Sequence, residues 1–172
     1  MPWAFFYGAS QNQVCGGGSI LHLSQNHSFQ FQMGLGYGSK KFAELMALKL
    51  LLYFSLEKGC KNIHIFGDSL IIINWVNKVQ HFQILDLLTL YEEVLRLWTS
   101  FDHITCHHVY KEWNAIADRL SKDGIGMDFG TWKFFVHKDG EVYELYHIPF
   151  AETFPVRQLV WKFWTRISTD LS

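Results

Sequence analysis

Residues 1–38 contain no aspartate or glutamate, so any carboxylate chemistry in this chain has to be assembled from residues further along. Cysteine is scarce too. Cys15, Cys60 and Cys106 are odd in number and lack CxxC spacing, which argues against a disulfide framework and against a zinc site. Reduced thiols in an intracellular protein, cytoplasmic or nuclear, fit that usage best. Excess charge is also missing. At a net charge of −1 and a pI near 6.7 there is no overall field to draw the chain onto nucleic acid or an anionic membrane, so any such contact must come from a local patch. The amino-terminal Met-Pro-Trp-Ala-Phe-Phe-Tyr has neither a basic n-region nor a cleavage pattern. The most apolar helical stretch carries Glu44 and Lys49 inside it, so no signal peptide and no membrane span are expected. Internal repeats and low-complexity segments are absent.

Apolar residues are plentiful, at 49% of 172 positions, enough for one well-buried domain and a modest appendage. Residues 3–9 are dense in aromatics and predict a central strand covered on both faces. Residues 15–23 and 28–33 predict two more strands joined by a polar turn at 24–27, so an antiparallel meander is expected. After a glycine-rich turn at 34–38, residues 39–58 have helix length, good helix formers and a Gly59 stop; their apolar positions go nearly all round, as in a buried helix. Residues 61–77 read as a strand ending at Gly67 that feeds a helix through Asp68 and Ser69. A short polar linker at 78–82 leads to a one-faced helix within 83–100, then a strand at 104–110 and a helix at 114–121. The order implies an α/β domain over residues 1–124, with a mixed five-stranded sheet (three antiparallel strands, then parallel ones) and helices on both faces.

Beyond Gly124 the pattern changes. Residues 132–137 and 142–147 flank Lys138-Asp139-Gly140-Glu141, a strong hairpin signal, and Pro155 opens an amphipathic helix with Val156, Leu159, Val160, Phe163 and Ile167 on one face. Two readings of this extension, residues 125–172, stay open. It packs back on the domain, or it is exposed and meets a protein partner or a membrane surface.

Three acids are candidates for chemistry, and each has a plainer reading. Asp68, at the carboxyl end of a strand and the amino end of a helix, is a helix cap or a metal ligand. Glu44 sits among apolar neighbours, where a carboxylate is costly unless paired, yet Lys40 and Lys41 are one turn away. Asp118 is a ligand or an ordinary helix-surface acid beside Arg119. His108, at the end of the strand before that helix, would alone be structural.

Taken together, the strand order, Ala43-Glu44-Leu45, Gly67-Asp68-Ser69 and the run from His108 to Asp118 resemble the type 1 ribonuclease H family, in the flavour found in plant retroelements, over roughly residues 3–124. The resemblance implies a site in which four carboxylates hold two magnesium (or manganese) ions that cut the RNA strand of an RNA–DNA hybrid. It makes Glu44, Asp68 and Asp118 the second, third and fourth acids, and His108 the histidine assisting proton transfer and product release. It departs at the first acid. The family's Asp-Gly-Ala-Ser reads Tyr7-Gly8-Ala9-Ser10 here, and a neutral phenol is a poor magnesium ligand. Weakened metal binding and absent or very poor cleavage are expected. Two asparagines that read the RNA minor groove in the family are replaced by Lys40 and Lys41, which with Ser10 are the expected nucleic-acid contacts; lysine holds phosphate but accepts no hydrogen bond from a 2′-hydroxyl. Residues 78–82 are too short for the basic protrusion some members use. Weak binding of hybrid or other nucleic acid is therefore the expected partner chemistry.

Overall fold

Alternation in the amino-terminal part of the chain produces three long antiparallel strands, β1 (Trp3–Gln11), β2 (Val14–Ser24) and β3 (His27–Tyr37). The computed structural model describes residues 1–149. Helix α1 (Lys40–Glu57) starts where Ser39 accepts a hydrogen bond from the Phe42 amide at 3.1 Å, which satisfies one of the free amides at a helix start. There follow β4 (Asn62–Gly67), α2 (Leu70–Val76), a 3-10 turn (Leu85–Leu87), α3 (Leu88–Trp98), β5 (His103–His108), a second 3-10 turn (Lys111–Asn114) and α4 (Ala115–Ile125). Strands β6 (Thr131–Lys138) and β7 (Glu141–Pro149) close the described part.

The seven strands among the described residues lie in one mixed sheet of order β5-β4-β1-β2-β3-β6-β7. The five expected strands are present, and the hairpin adds two more by pairing β6 antiparallel to β3, with Phe31 opposite Phe134 and Met33 opposite Trp132. Its turn is the Asp-Gly pair read from the sequence. Asp139 (φ 51°) and Gly140 (φ 84°) both take the left-handed conformation that a two-residue hairpin requires. The sheet thus runs across the expected division at residue 124. The helix expected from Pro155 lies outside the described residues.

Helix α1 is buried nearly all round because it packs on β1 and β2 and also against α3. Lys49, the cation inside its apolar run, reaches out to pair with Glu93 of α3. One sequence expectation is corrected. The glycine-rich stretch 34–38 is not a turn: β3 continues to Tyr37, which pairs with Val14, and Gly34 lets the loop between α4 and β6 approach, since a Cβ there would stand 2.3 Å from Asp128 O. The segment 78–82 is the expected linker, exposed as far as His81. Phe82 stacks on Tyr91 with ring centroids 4.3 Å apart and meets Trp75 edge-on, which anchors it to the core. No helix among the described residues is long and apolar enough to cross a membrane.

Candidate functional site

The parallel pairing of β1, β4 and β5 brings their carboxyl ends to one edge of the molecule. Phe6 pairs with Gly67, and Gly67 with His108, so Tyr7 and Asp68, each one residue further on, sit at the same level. Two glycine seats bring the helices in. A Cβ on Gly8 would stand 2.2 Å from the Glu44 amide nitrogen, so the absence of a side chain beside Tyr7 lets α1 press its backbone onto β1. On the opposite face, a Cβ on Gly18 would stand 2.3 Å from Ala117 O, and α4, with Asp118, lies directly on β2.

The three acids lie at this end of the sheet, each with its own partner. Glu44 is 4% exposed, and burial pushes its carboxyl up to about 6; repulsion from Asp68 adds to this, while the Ser69 hydroxyl, Lys40 and Lys41 oppose it. The Lys40 ammonium stands 4.0 Å from it. Asp68 is half-buried and also shifted upward by burial, with Asn114 and Lys40 pulling it back and Asp118 pushing it up. Asn114 donates from Nδ2 to Phe6 O at 2.9 Å and reaches Asp68 Oδ1 at 3.5 Å. Asp118 pairs with Lys122 at 3.2 Å, one turn along α4, while its other oxygen is buried with no hydrogen-bond partner among the described residues.

Tyr7 stands among them, 5% exposed. Two ammonium groups from different elements lie over its ring, Lys40 Nζ at 5.4 Å and Lys111 Nζ at 5.9 Å from the centroid. Burial alone would lower the Lys40 pKa, but Tyr7, Glu44 and Asp68 outweigh it and the net shift is upward, so the ammonium charge is held. The remaining expected residues are less central. His108 is exposed at the end of β5 and meets Tyr110 edge-on at 5.6 Å. Ser10 donates to Gly38 O at 3.2 Å, tying β1 to the approach of α1, and Lys41 lies half-buried at the start of α1. Asn114, Lys111 and Ser69 were not singled out from the sequence. A lone asparagine before a helix looks like a cap, and only its burial, 2% exposed, marks it as something else.

The raised Glu44 pKa has a consequence for stability. A carboxyl group whose folded pKa lies above its unfolded value binds more protons when folded, so stability falls as pH rises from about 4.5 to about 6. Glu44→Gln is expected to flatten that slope and to raise stability at neutral pH by about 2 kcal/mol, the equivalent of the shift. Thermal melts of both proteins across this pH range check it, and a variant less stable at neutral pH would show that the ionised form is needed for folding.

The donor set does not suit a pair of divalent ions. No three His, Cys, Asp or Glu side chains among the described residues come close enough to hold a metal ion. Lysines already stand against Glu44 and Asp118, an amide faces Asp68, and the residue between them is a phenol. A hard cation such as magnesium takes oxygen ligands in near-octahedral array, and the ammonium groups beside Glu44 and Asp118 compete for them.

The reverse transcriptase-like family profile matches residues 8–124, the span that contains Glu44, Asp68 and Asp118. No curated protein matches the chain. Among solved structures, RNase H1 from the halophilic archaeon Halobacterium salinarum is 24% identical, with a TM-score of 0.68 over 72% of this chain and 96% of that one. The amino-terminal RNase H domain of a Mycobacterium tuberculosis protein is 21% identical, with a TM-score of 0.66 over 72% of this chain and 92% of its own. LC11-RNase H1, solved in complex with an RNA/DNA hybrid, is 17% identical, with a TM-score of 0.67 over 73% of this chain and 96% of its own.

Proposed function

The chain belongs to the reverse transcriptase-like family and has the ribonuclease H fold, and from that footing we propose that it is a nucleic-acid-binding domain whose hybrid-cleaving chemistry is lost or nearly lost. One observation carries the proposal. Tyr7 occupies the β1 position at which the resemblance calls for the first metal-binding acid, and two lysine ammoniums lie over its ring. Retained acids at Glu44, Asp68 and Asp118 fit descent from a hydrolase. Without the shared ligand, magnesium or manganese is held weakly at best, and an attacking water lacks the placement from which most of the rate would come. Hybrid recognition in a solved neighbour supports nucleic acid as the partner class.

An active nuclease with a compensated site is the competing reading, and the unpartnered Asp118 Oδ1 favours it, because a buried carboxylate oxygen is costly unless something binds there. A labelled RNA–DNA hybrid separates the two. The protein is expected to shift the hybrid at low salt and to leave it uncut in magnesium or manganese. Robust turnover abolished by Asp68→Asn would overturn the proposal in favour of the active enzyme. Failure to shift the hybrid would overturn it in favour of a protein-interaction role for the extension.

A further inference from the structure

We propose that Lys40 and Lys111 take over the electrostatic task of the lost metals and hold a backbone phosphate of the bound nucleic acid above Tyr7, so that binding at this site is independent of divalent cations. The inference deepens the nucleic-acid-binding reading and rests on it. Its basis is a juxtaposition of residues far apart in the chain. Lys40 opens α1 and Lys111 opens the 3-10 turn before α4, and their ammonium groups lie 5.4 Å and 5.9 Å from the same ring centroid. Both residues are exposed, whereas the phenol beneath them is buried, so the cations face solvent over a low-dielectric floor.

Lysines offset two of the three carboxylates at this end of the sheet. Glu44 has Lys40 at 4.0 Å and Asp118 has Lys122 at 3.2 Å, while Lys41 adds a further cation at the start of α1. Tyr7 contributes no formal charge where a carboxylate would repel phosphate. Lysine is a point charge with three rotatable donors, suited to phosphate oxygens whatever the sugar or base. Exposed Tyr110 and Trp113 lie close to Lys111 in sequence and present aromatic rings to solvent.

The test uses fluorescence anisotropy with a labelled RNA–DNA hybrid and the full chain at several salt concentrations. Binding is expected in EDTA, with no gain on adding magnesium at matched ionic strength. The double variant Lys40→Ala/Lys111→Ala is expected to bind about tenfold or more weakly, and its slope of log affinity against log salt to fall by about 1, since the one phosphate contact that is lost contributes close to one. Lys40→Arg/Lys111→Arg, which keeps both charges, should retain most of the affinity and controls for folding. Hybrid binding that requires magnesium, or that is unchanged in the alanine variant, overturns this inference and leaves the nucleic-acid reading standing. No hybrid binding under any condition overturns both.

Discussion

Tyr7→Asp is expected to raise magnesium affinity by about tenfold or more and to bring hybrid cleavage up from background. A new carboxylate at this position would join Glu44, Asp68 and Asp118 at one end of the sheet. Each unit charge pair at 4 Å is worth about 4 kcal/mol in a partly solvated site, with desolvation of the new acid taking back much of that. Lys40 and Lys111 limit the gain, because both ammoniums already face the ring that the aspartate would replace. Adding Lys40→Asn should therefore increase it further, by removing the cation 4.0 Å from Glu44. Magnesium titration by calorimetry reads the first step, and cleavage of a labelled hybrid the second. Magnesium binding without cleavage would mean that more than one ligand has been lost. No change in magnesium binding would mean that the acids cannot close around an ion in this backbone.

Trp132→Ala is expected to destabilise the whole domain by about 3–5 kcal/mol, the usual cost of emptying a buried aromatic site. Trp132 is fully buried on β6, edge-on to Phe31 at 6.1 Å and tilted against Phe134 at 4.8 Å, in a cluster that continues through Phe54 of α1. The hairpin therefore covers core contributed by β3 and α1. A single thermal transition lowered by about 10 °C or more is the expected result, and Trp132→Phe should recover much of the loss. If the extension were an independent appendage, the melting of the remainder would be unchanged by the alanine variant. A denaturant midpoint shift with an unchanged slope would confirm that stability, and not compactness, had been altered.

Reading the chain without its structure identified the elements well where local chemistry decides them. Gly59, with φ 79°, follows the end of α1, the Asp139-Gly140 turn closes its hairpin, and Gly67 ends β4 with Asp68 just beyond it. The glycines at 34–38 suggest a turn because glycine is common in turns, whereas close backbone approach, its actual role at Gly34, leaves no local signature. The packing of Phe82 at the end of its linker is not legible locally, because its partners, Trp75 and Tyr91, lie in other elements.

The same division runs through the candidate site. Residue identity alone determined that Tyr7 stands where the family resemblance calls for an acid, that residues 1–38 contain no replacement, and that Glu44, Asp68 and Asp118 are the acids left to consider. Only the tertiary structure decided their partners. Asn114 reaches the Phe6 carbonyl across a sequence separation of 108 residues, and Lys40 and Lys111 converge on one ring from separate elements. Such contacts are set by how closely helices seat on the sheet, at Gly8 and Gly18 above all. Spacing along the chain encodes periodicity and caps, whereas distances between elements emerge from packing.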